Sequence, residues 1–266
     1  MFLEGRWFYN HVLNIKNSGT RLRQINSTKI KSVRHFDKDK NELVSNLETL
    51  SSQQKQAIVS RMISNEMTIT TLVKKGLQTH GHLKFKSELN CIPLKQYGNS
   101  YKFKSFNKVK IQGIHGTILV RTGNQLQIAD ELANANLLKK PDGYYLKVTA
   151  YINKENFKET KTNGKEIGLD FGIKTNVTTS EGEKLNVNVE ESERLKKLQR
   201  ELFRRVKGSN NRYKTIKLIR REYQKLSNKK QDKTNKIVHK LKTYDRIYMQ
   251  DEQIANWHKG LFGKQV

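Results

Sequence analysis

Apolar positions recur at helical spacing at the start of the chain, where Trp7, Phe8, Val12, Leu13 and Ile15 make one stripe. A second helix is predicted after Ser51 and Ser52, either of which suits an N-cap, with Ala57, Ile58, Met62 and Ile63 on its apolar face. Lys29, Lys31, Arg34, Lys38 and Lys40 fall between the two and read as a solvated linker. Gly76, Gly81 and Pro93 punctuate the exit, so residues 1–95 read as a mainly helical region. From 96 to 163 the pattern changes to period two. In the segment Gly143 to Ile152, Tyr144, Leu146, Val148, Ala150 and Ile152 share one face, with Tyr145, Lys147, Thr149 and Tyr151 on the other. Shorter strands are predicted at Tyr101–Phe103, Val109–Ile111 and Thr117–Val120, with turns at Gly98, Gly113, Gly116 and Gly123. Several short strands at this spacing fit a small β-barrel or sandwich.

The third region, residues 164–266, mixes both periods. Its first strand runs from Glu166 to Ile173, with Ile167, Leu169 and Phe171 on the face expected to be buried. Gly168, Asp170 and Gly172 share the other face. An acid between two glycines has no neighbouring side chains on its own face, so a metal ion and a phosphate backbone can approach it closely. A second strand is predicted over Lys174–Thr179 and a third over Leu185–Val189, after a turn at Glu181-Gly182-Glu183. Leu195, Leu198 and Leu202 then follow helical spacing, as do Ile216, Ile219, Tyr223 and Leu226, and Gly208-Ser209-Asn210-Asn211 separates the two sets. Two antiparallel helices are expected, one face on the sheet, with Ile237, Val238 and Leu241 in a third. A last strand, Arg246–Glu252, ends in two acids and should pair alongside the Asp170 strand in a mixed sheet.

Charge narrows the partners. The 266 residues carry 52 Lys and Arg against 25 Asp and Glu, a formal net charge of +27. A field of that sign attracts polyanions and fixes no fold. No apolar run is long enough to cross a bilayer, no signal peptide is visible, and the basic residues are spread along the chain, which favours nucleic acid over a membrane. The lone Cys91 can form neither an internal disulfide nor a Cys-rich zinc site, so a cytoplasmic location is expected and Cys91 is given no role. The basic surface of the 96–163 strands can bind RNA or DNA or be a solvated scaffold, and the sequence leaves both open. Between Glu190 and Lys242 the excess is sharper, 19 basic against 6 acidic residues, net +13. Like charges on one helix face repel, which argues against a purely solvated hairpin there. Lys174, Arg200, Arg204, Arg205, Arg212, Lys217, Arg220 and Arg221 are the candidate nucleic-acid contacts.

The run Gly168-Leu169-Asp170-Phe171-Gly172-Ile173-Lys174, followed by Val177-Thr178-Thr179-Ser180-Glu181-Gly182, resembles the first RuvC motif of the TnpB family. These are transposon-encoded, RNA-guided DNA endonucleases similar to compact type V CRISPR nucleases. Leu198-Gln199-Arg200-Glu201-Leu202, Lys207-Gly208-Ser209-Asn210-Asn211-Arg212, Trp7-Phe8-Tyr9-Asn10 and Asp142-Gly143-Tyr144-Tyr145-Leu146 resemble further segments of the family in the same order. The resemblance implies a recognition-like helical region, a wedge-like barrel and an RNase H-like (RuvC) domain with a long basic helical insertion, in a mixed α/β chain. It also implies a guide RNA and target DNA as partners, and magnesium ions held by three acids; paired ions activate water and stabilise the leaving oxygen in phosphodiester cleavage. Asp170 matches the first acid. Gln250 stands where the second, a glutamate, is expected, and Glu252, roughly 6.7 Å further along the same strand face, is the substitute, ahead of Asp251. The third acid and a four-cysteine zinc ribbon would follow Val266, and a first wedge strand would precede Met1, so the chain reads as an incomplete copy with little or no nuclease activity. Two other readings compete. A nuclease-dead relative would keep RNA-guided DNA binding and act as a repressor. An actin- or hexokinase-like ATPase also uses Gly-x-Asp-x-Gly, but needs a second Asp-x-Gly phosphate loop that is not found here.

Overall fold

The computed structural model describes residues 1–36, 41–122, 126, 129–156, 162–172 and 175–251. The chain divides into two compact units, Met1–Phe157 and Lys158–Val266.

In the first unit, α1 (Phe2–Asn17) buries Gly5, Phe8, Tyr9, Val12 and Leu13; of the predicted stripe Phe8, Val12 and Leu13 are buried, whereas Trp7 and Ile15 are half-buried. Trp7 is half-buried and stacks on His35 with ring centroids 4.0 Å apart. α1 lies close on its neighbours at Gly5, where a Cβ would come within 2.7 Å of Ile92 Cδ1 and 2.8 Å of Leu89 Cδ2. The segment expected as a linker instead forms an antiparallel hairpin, β1 (Ser32–Phe36) with β2 (Glu42–Asn46). Its alternation was hidden by its charge, because Val33 is the one fully buried side chain of the pair. Lys38 and Lys40 lie outside the described residues.

α2 (Ser52–Lys74) starts at Ser51, whose Oγ accepts the Gln54 N–H at 3.3 Å while Gln54 Oε1 accepts the Ser51 N–H at 2.9 Å. This reciprocal capping box satisfies two of the helix's orphan donors and picks Ser51 over Ser52 as the cap. Strands β3 (Cys91–Leu94), β7 (Glu131–Lys140) and β8 (Gly143–Tyr151) pair in the order β3-β7-β8, and β4 (Tyr101–Ser105), β5 (Lys108–Ile111) and β6 (Ile118–Leu119) in the order β4-β5-β6. The described strands thus make two three-stranded antiparallel sheets and no hydrogen-bonded ring. Helices and strands share one apolar core: Phe8, Leu13 and Met62 belong to the same cluster as Ile92, Leu94, Tyr101, Val109, Ile111 and Leu137.

The second unit holds a four-stranded sheet of order β11-β10-β9-β12, made of β9 (Glu166–Phe171), β10 (Val177–Thr179), β11 (Lys184–Leu185) and β12 (Arg246–Met249). β9, β10 and β11 are antiparallel neighbours and β12 pairs alongside β9, as the sequence predicts; the pairing of β12 is parallel, and β10 and β11 are shorter than the Lys174–Thr179 and Leu185–Val189 strands expected. Ile167 and Leu169 are buried, whereas Phe171, expected beside them, is 36% exposed. The basic segment forms α3 (Glu193–Arg204) and a single 32-residue α4 (Asn210–Leu241). No Gly or Pro interrupts 210–241, so the third helix expected around Ile237 is the end of α4. Ser192 and Ser209 cap the two helices, their hydroxyls accepting the N–H of Leu195 at 3.2 Å and of Arg212 at 3.1 Å. The helices are antiparallel: Arg212 meets the carbonyl of Leu202, and Glu222 meets Arg194. Among the described residues their apolar faces meet each other rather than the sheet. Leu195, Leu198 and Ile219 are buried together, with Leu202, Leu218 and Leu226 around them. α4 is tied to the strand region by polar contacts instead: Lys233 Nζ donates to the Asn188 carbonyl at 2.6 Å and Lys240 pairs with Glu183. At the helix's C-terminal side, Tyr244 donates to Glu181.

Candidate acidic strand and nucleic-acid interface

Asp170 is the fifth residue of β9, exposed, and level with Thr178 on β10. Its neighbours explain the two glycines differently. The Gly168 N–H donates to Ser180 Oγ at 3.1 Å and its carbonyl accepts the Ser180 N–H at 2.9 Å. A Cβ on Gly168 would meet only Ser180, at 3.5 Å, an ordinary van der Waals distance. Packing therefore does not demand glycine there, and what a side chain would take away is open space beside Asp170. At Gly172 a Cβ would come within 3.0 Å of the Thr175 carbonyl, so that glycine serves the tight exit from the strand.

The candidates for a second acid follow the neighbouring strand in sequence. Arg246, Ile247, Tyr248 and Met249 pair with Glu166, Ile167, Gly168 and Leu169. The register is fixed at its start, where Arg246 ion-pairs with Glu166 at 3.3 Å and the Tyr248 hydroxyl donates to the same carboxylate at 3.1 Å. Continued by one residue, it brings Gln250 level with Asp170; side chains level on parallel neighbours point to the same face. The strand itself ends at Met249, so Asp251, expected inside it, follows in exposed coil. Glu252, the expected substitute ligand, lies outside the described residues, as does Lys174.

A magnesium pair needs several carboxylates at fixed spacing. Among the described residues no group of three or more His, Cys, Asp and Glu side chains is suitably placed to hold a metal ion. Asp170 alone fits as one oxygen ligand of a mostly hydrated ion, and the described donors do not complete a two-ion site.

The candidate basic contacts separate into kinds. Arg200, Arg204 and Lys217 are exposed, as are Arg220 and Arg221. Arg205 is half-buried at the end of α3 and pairs with Glu201 at 3.6 Å. Arg212 turns inward: its Nη1 donates to the carbonyls of Leu202 at 2.6 Å and Arg205 at 3.3 Å, closing the C-terminal end of α3. Its placement is structural, and the signal for it was the position just after the Ser209 cap, three residues into a helix that doubles back on the previous one. Acids inside the hairpin are largely spoken for. Glu222 is buried, with Lys225 at 2.8 Å and Arg194 at 3.5 Å. The hydrogen bond from Lys225 holds its carboxyl below the usual range, against the opposing effect of burial. Two features escaped the sequence reading: Ser180 as the polar support of the Gly168 backbone, and the exposure of Phe203 at 93% and Tyr213 at 66% beside these cations. Among the described residues, no helix is long and apolar enough to cross a membrane.

Residues 145–256 match the model of the family OrfB_IS605, described as a probable transposase. No curated protein matches the chain. The matched stretch contains Asp170, the α3–α4 hairpin and β12; Trp7–Asn10 and Asp142–Tyr144, which also resemble the family, lie outside it. Over residues 145–256, somewhat under half of its length, the chain is similar to this family of probable transposases.

Proposed function

We propose that this chain is a transposon-associated, RNA-guided DNA-binding protein of the RuvC endonuclease type, with cleavage weakened at its own acidic strand. The observation that carries the reading is Asp170 on the open face of β9, in the same unit as a helical hairpin whose segment holds a net +13. The basic helices neutralise phosphates without reading sequence, and pairing with a guide RNA supplies the specificity. Magnesium, the ion the family implies, would be held by Asp170 and by Glu252 or Asp251. Gln250, the first residue after the paired segment of β12, would stand level with Asp170 if the register continued, and it offers a neutral amide where an ion calls for charge, which supports weak rather than full cleavage.

The same glutamine favours a second reading, a nuclease-dead repressor that binds its target without cutting it. One experiment separates the two. The chain is incubated with its transposon-end RNA, a matched DNA target and magnesium, alongside Gln250→Glu and the double variant Gln250→Glu/Asp170→Ala. The first reading expects binding by all three and cleavage that rises in Gln250→Glu and vanishes in the double variant. Binding with no cleavage in any of them supports the repressor. Absence of RNA-dependent DNA binding in all three contradicts both.

A further inference from the structure

The turn joining α3 to α4 carries apolar side chains that the fold does not use. Phe203 is 93% exposed, Val206 75% and Tyr213 66%. Leu195, Leu198 and Leu202 already fill the inward face of α3, and Phe203 lies one residue round the helix, on the outward side. Tyr213 belongs to the first turn of α4. That turn is held against the last turn of α3 by Arg212, through its bonds to the Leu202 and Arg205 carbonyls, so both aromatics belong to one end of the hairpin. The same end is strongly basic. From Arg200 to Lys217 the sequence has Arg200, Arg204, Arg205, Lys207, Arg212, Lys214 and Lys217 against the single acid Glu201, which Arg205 pairs.

Single exposed apolar side chains are ordinary, but a group of them at one end of a hairpin and rimmed by charge marks an interaction surface. A second copy of the same surface would bring two sets of like charges together. An unpaired nucleic-acid strand suits both features, because its bases stack on aromatic rings while its phosphates meet the cations. A duplex keeps its bases stacked inside and gains only the charge contacts.

We propose that the α3–α4 turn is a stacking site for unpaired bases of a single nucleic-acid strand, with Phe203 and Tyr213 as the platforms and Arg200, Arg204, Lys207 and Lys214 as the phosphate contacts. This deepens the nucleic-acid reading of the previous section and rests on it. The full chain is titrated with a labelled oligo-uridylate and, separately, with a duplex DNA of equal length. Phe203→Ala/Tyr213→Ala is expected to weaken the single-strand complex by about tenfold or more, leave the duplex complex within about twofold, and leave the salt slope of both unchanged. Arg204→Gln/Lys207→Gln is expected to lower the salt slope on both probes, by about one per side chain on the duplex. Phe203→Trp should retain binding and Phe203→Leu should lose it, since only the former keeps a π face. Because both aromatics are exposed, unchanged far-ultraviolet circular dichroism is expected for every variant. Equal losses on single strand and duplex, or no loss in the double alanine variant while the parent binds, overturns the stacking site alone. A parent that binds neither probe overturns the nucleic-acid reading beneath it.

Discussion

The two units build themselves in opposite ways. Apart from Ile167, Leu169, Leu185, Leu195, Leu198 and Ile219, every buried apolar side chain among the described residues belongs to Met1–Phe157. There α1, α2 and two sheets close on one shared core. The second unit keeps a thin sheet and a helix pair with its own small cluster, and ties α4 down with polar contacts such as Lys233 to Asn188 and Lys240 to Glu183. The first unit is organised by burial. The second spends its helical surface on charge, and burial only holds that surface in shape.

Substitutions in the two cores should have the largest effects. Phe8→Ala removes a fully buried ring from the shared core. It should cost about 3–5 kcal/mol and lower the melting of the whole first unit, followed by thermal circular dichroism. Leu195→Ala, also at full burial, should cost about 3 kcal/mol and loosen α3 and α4 together, while amides of β3, β7 and β8 keep their protection in hydrogen exchange. Loss of protection in the first unit would mean that the two cores are not independent.

Arg212 sharpens the contrast, because it is a basic residue with a structural duty. Arg212→Ala should destabilise the hairpin by about 1–2 kcal/mol, the loss of charge-assisted bonds to two carbonyls. Arg204→Gln should leave stability unchanged and weaken nucleic-acid binding. Denaturant melts of the two variants, read beside their affinities, decide whether the distinction holds.

The smallest effects are the opposite pH limits of the two units. Burial and the nearby Tyr97 push the Tyr101 hydroxyl up to about 12, and it donates to the Ala133 carbonyl at 2.9 Å. The neutral form is favoured by folding, so this contribution is intact below the ordinary value of 10.0 and fades as pH climbs from there to about 12. Glu222 runs the other way: its carboxyl sits below the ordinary 4.5, so its contribution is present above that value and fades as pH drops through the folded value. Tyr101→Phe should flatten the alkaline limb of the first unit's stability and Glu222→Gln the acid limb of the second's. Either substitution flattening the other limb would contradict the assignment.

Legibility followed the strength of local signals. Gly208 and Ser209 marked the break between α3 and α4, and the Leu195, Leu198 and Leu202 spacing marked the inward face, because both effects act within a few residues. The alternation around Asp170 and the Arg246 strand were visible for the same reason, and β12 pairs alongside β9 as expected. β7 was missed although it is the longest strand. Glu131-Leu132-Ala133-Asn134-Ala135-Asn136 reads as helix or loop by propensity, and only its place between β3 and β8, with a bulge between Leu132 and Ala135, makes it a strand. β1 and β2 were hidden by their exposed charge. At the site, the place of Asp170 could be read from its flanking glycines, whereas the inward turn of Arg212 could not, since a basic residue in a basic helix carries no mark of which carbonyl it will meet.

If the α3–α4 hairpin is a polyanion-binding surface, its affinity for nucleic acid must fall steeply with salt. Affinity of the chain for duplex DNA is measured from low to moderate salt. A straight, steep log–log plot is expected, with each neutralised phosphate contributing a slope of about −0.9. Arg204→Gln and Lys217→Gln should each make the slope shallower by about one without changing helix content. A slope near zero for the parent chain, or one that these substitutions leave untouched, would contradict a polyanion-binding surface there.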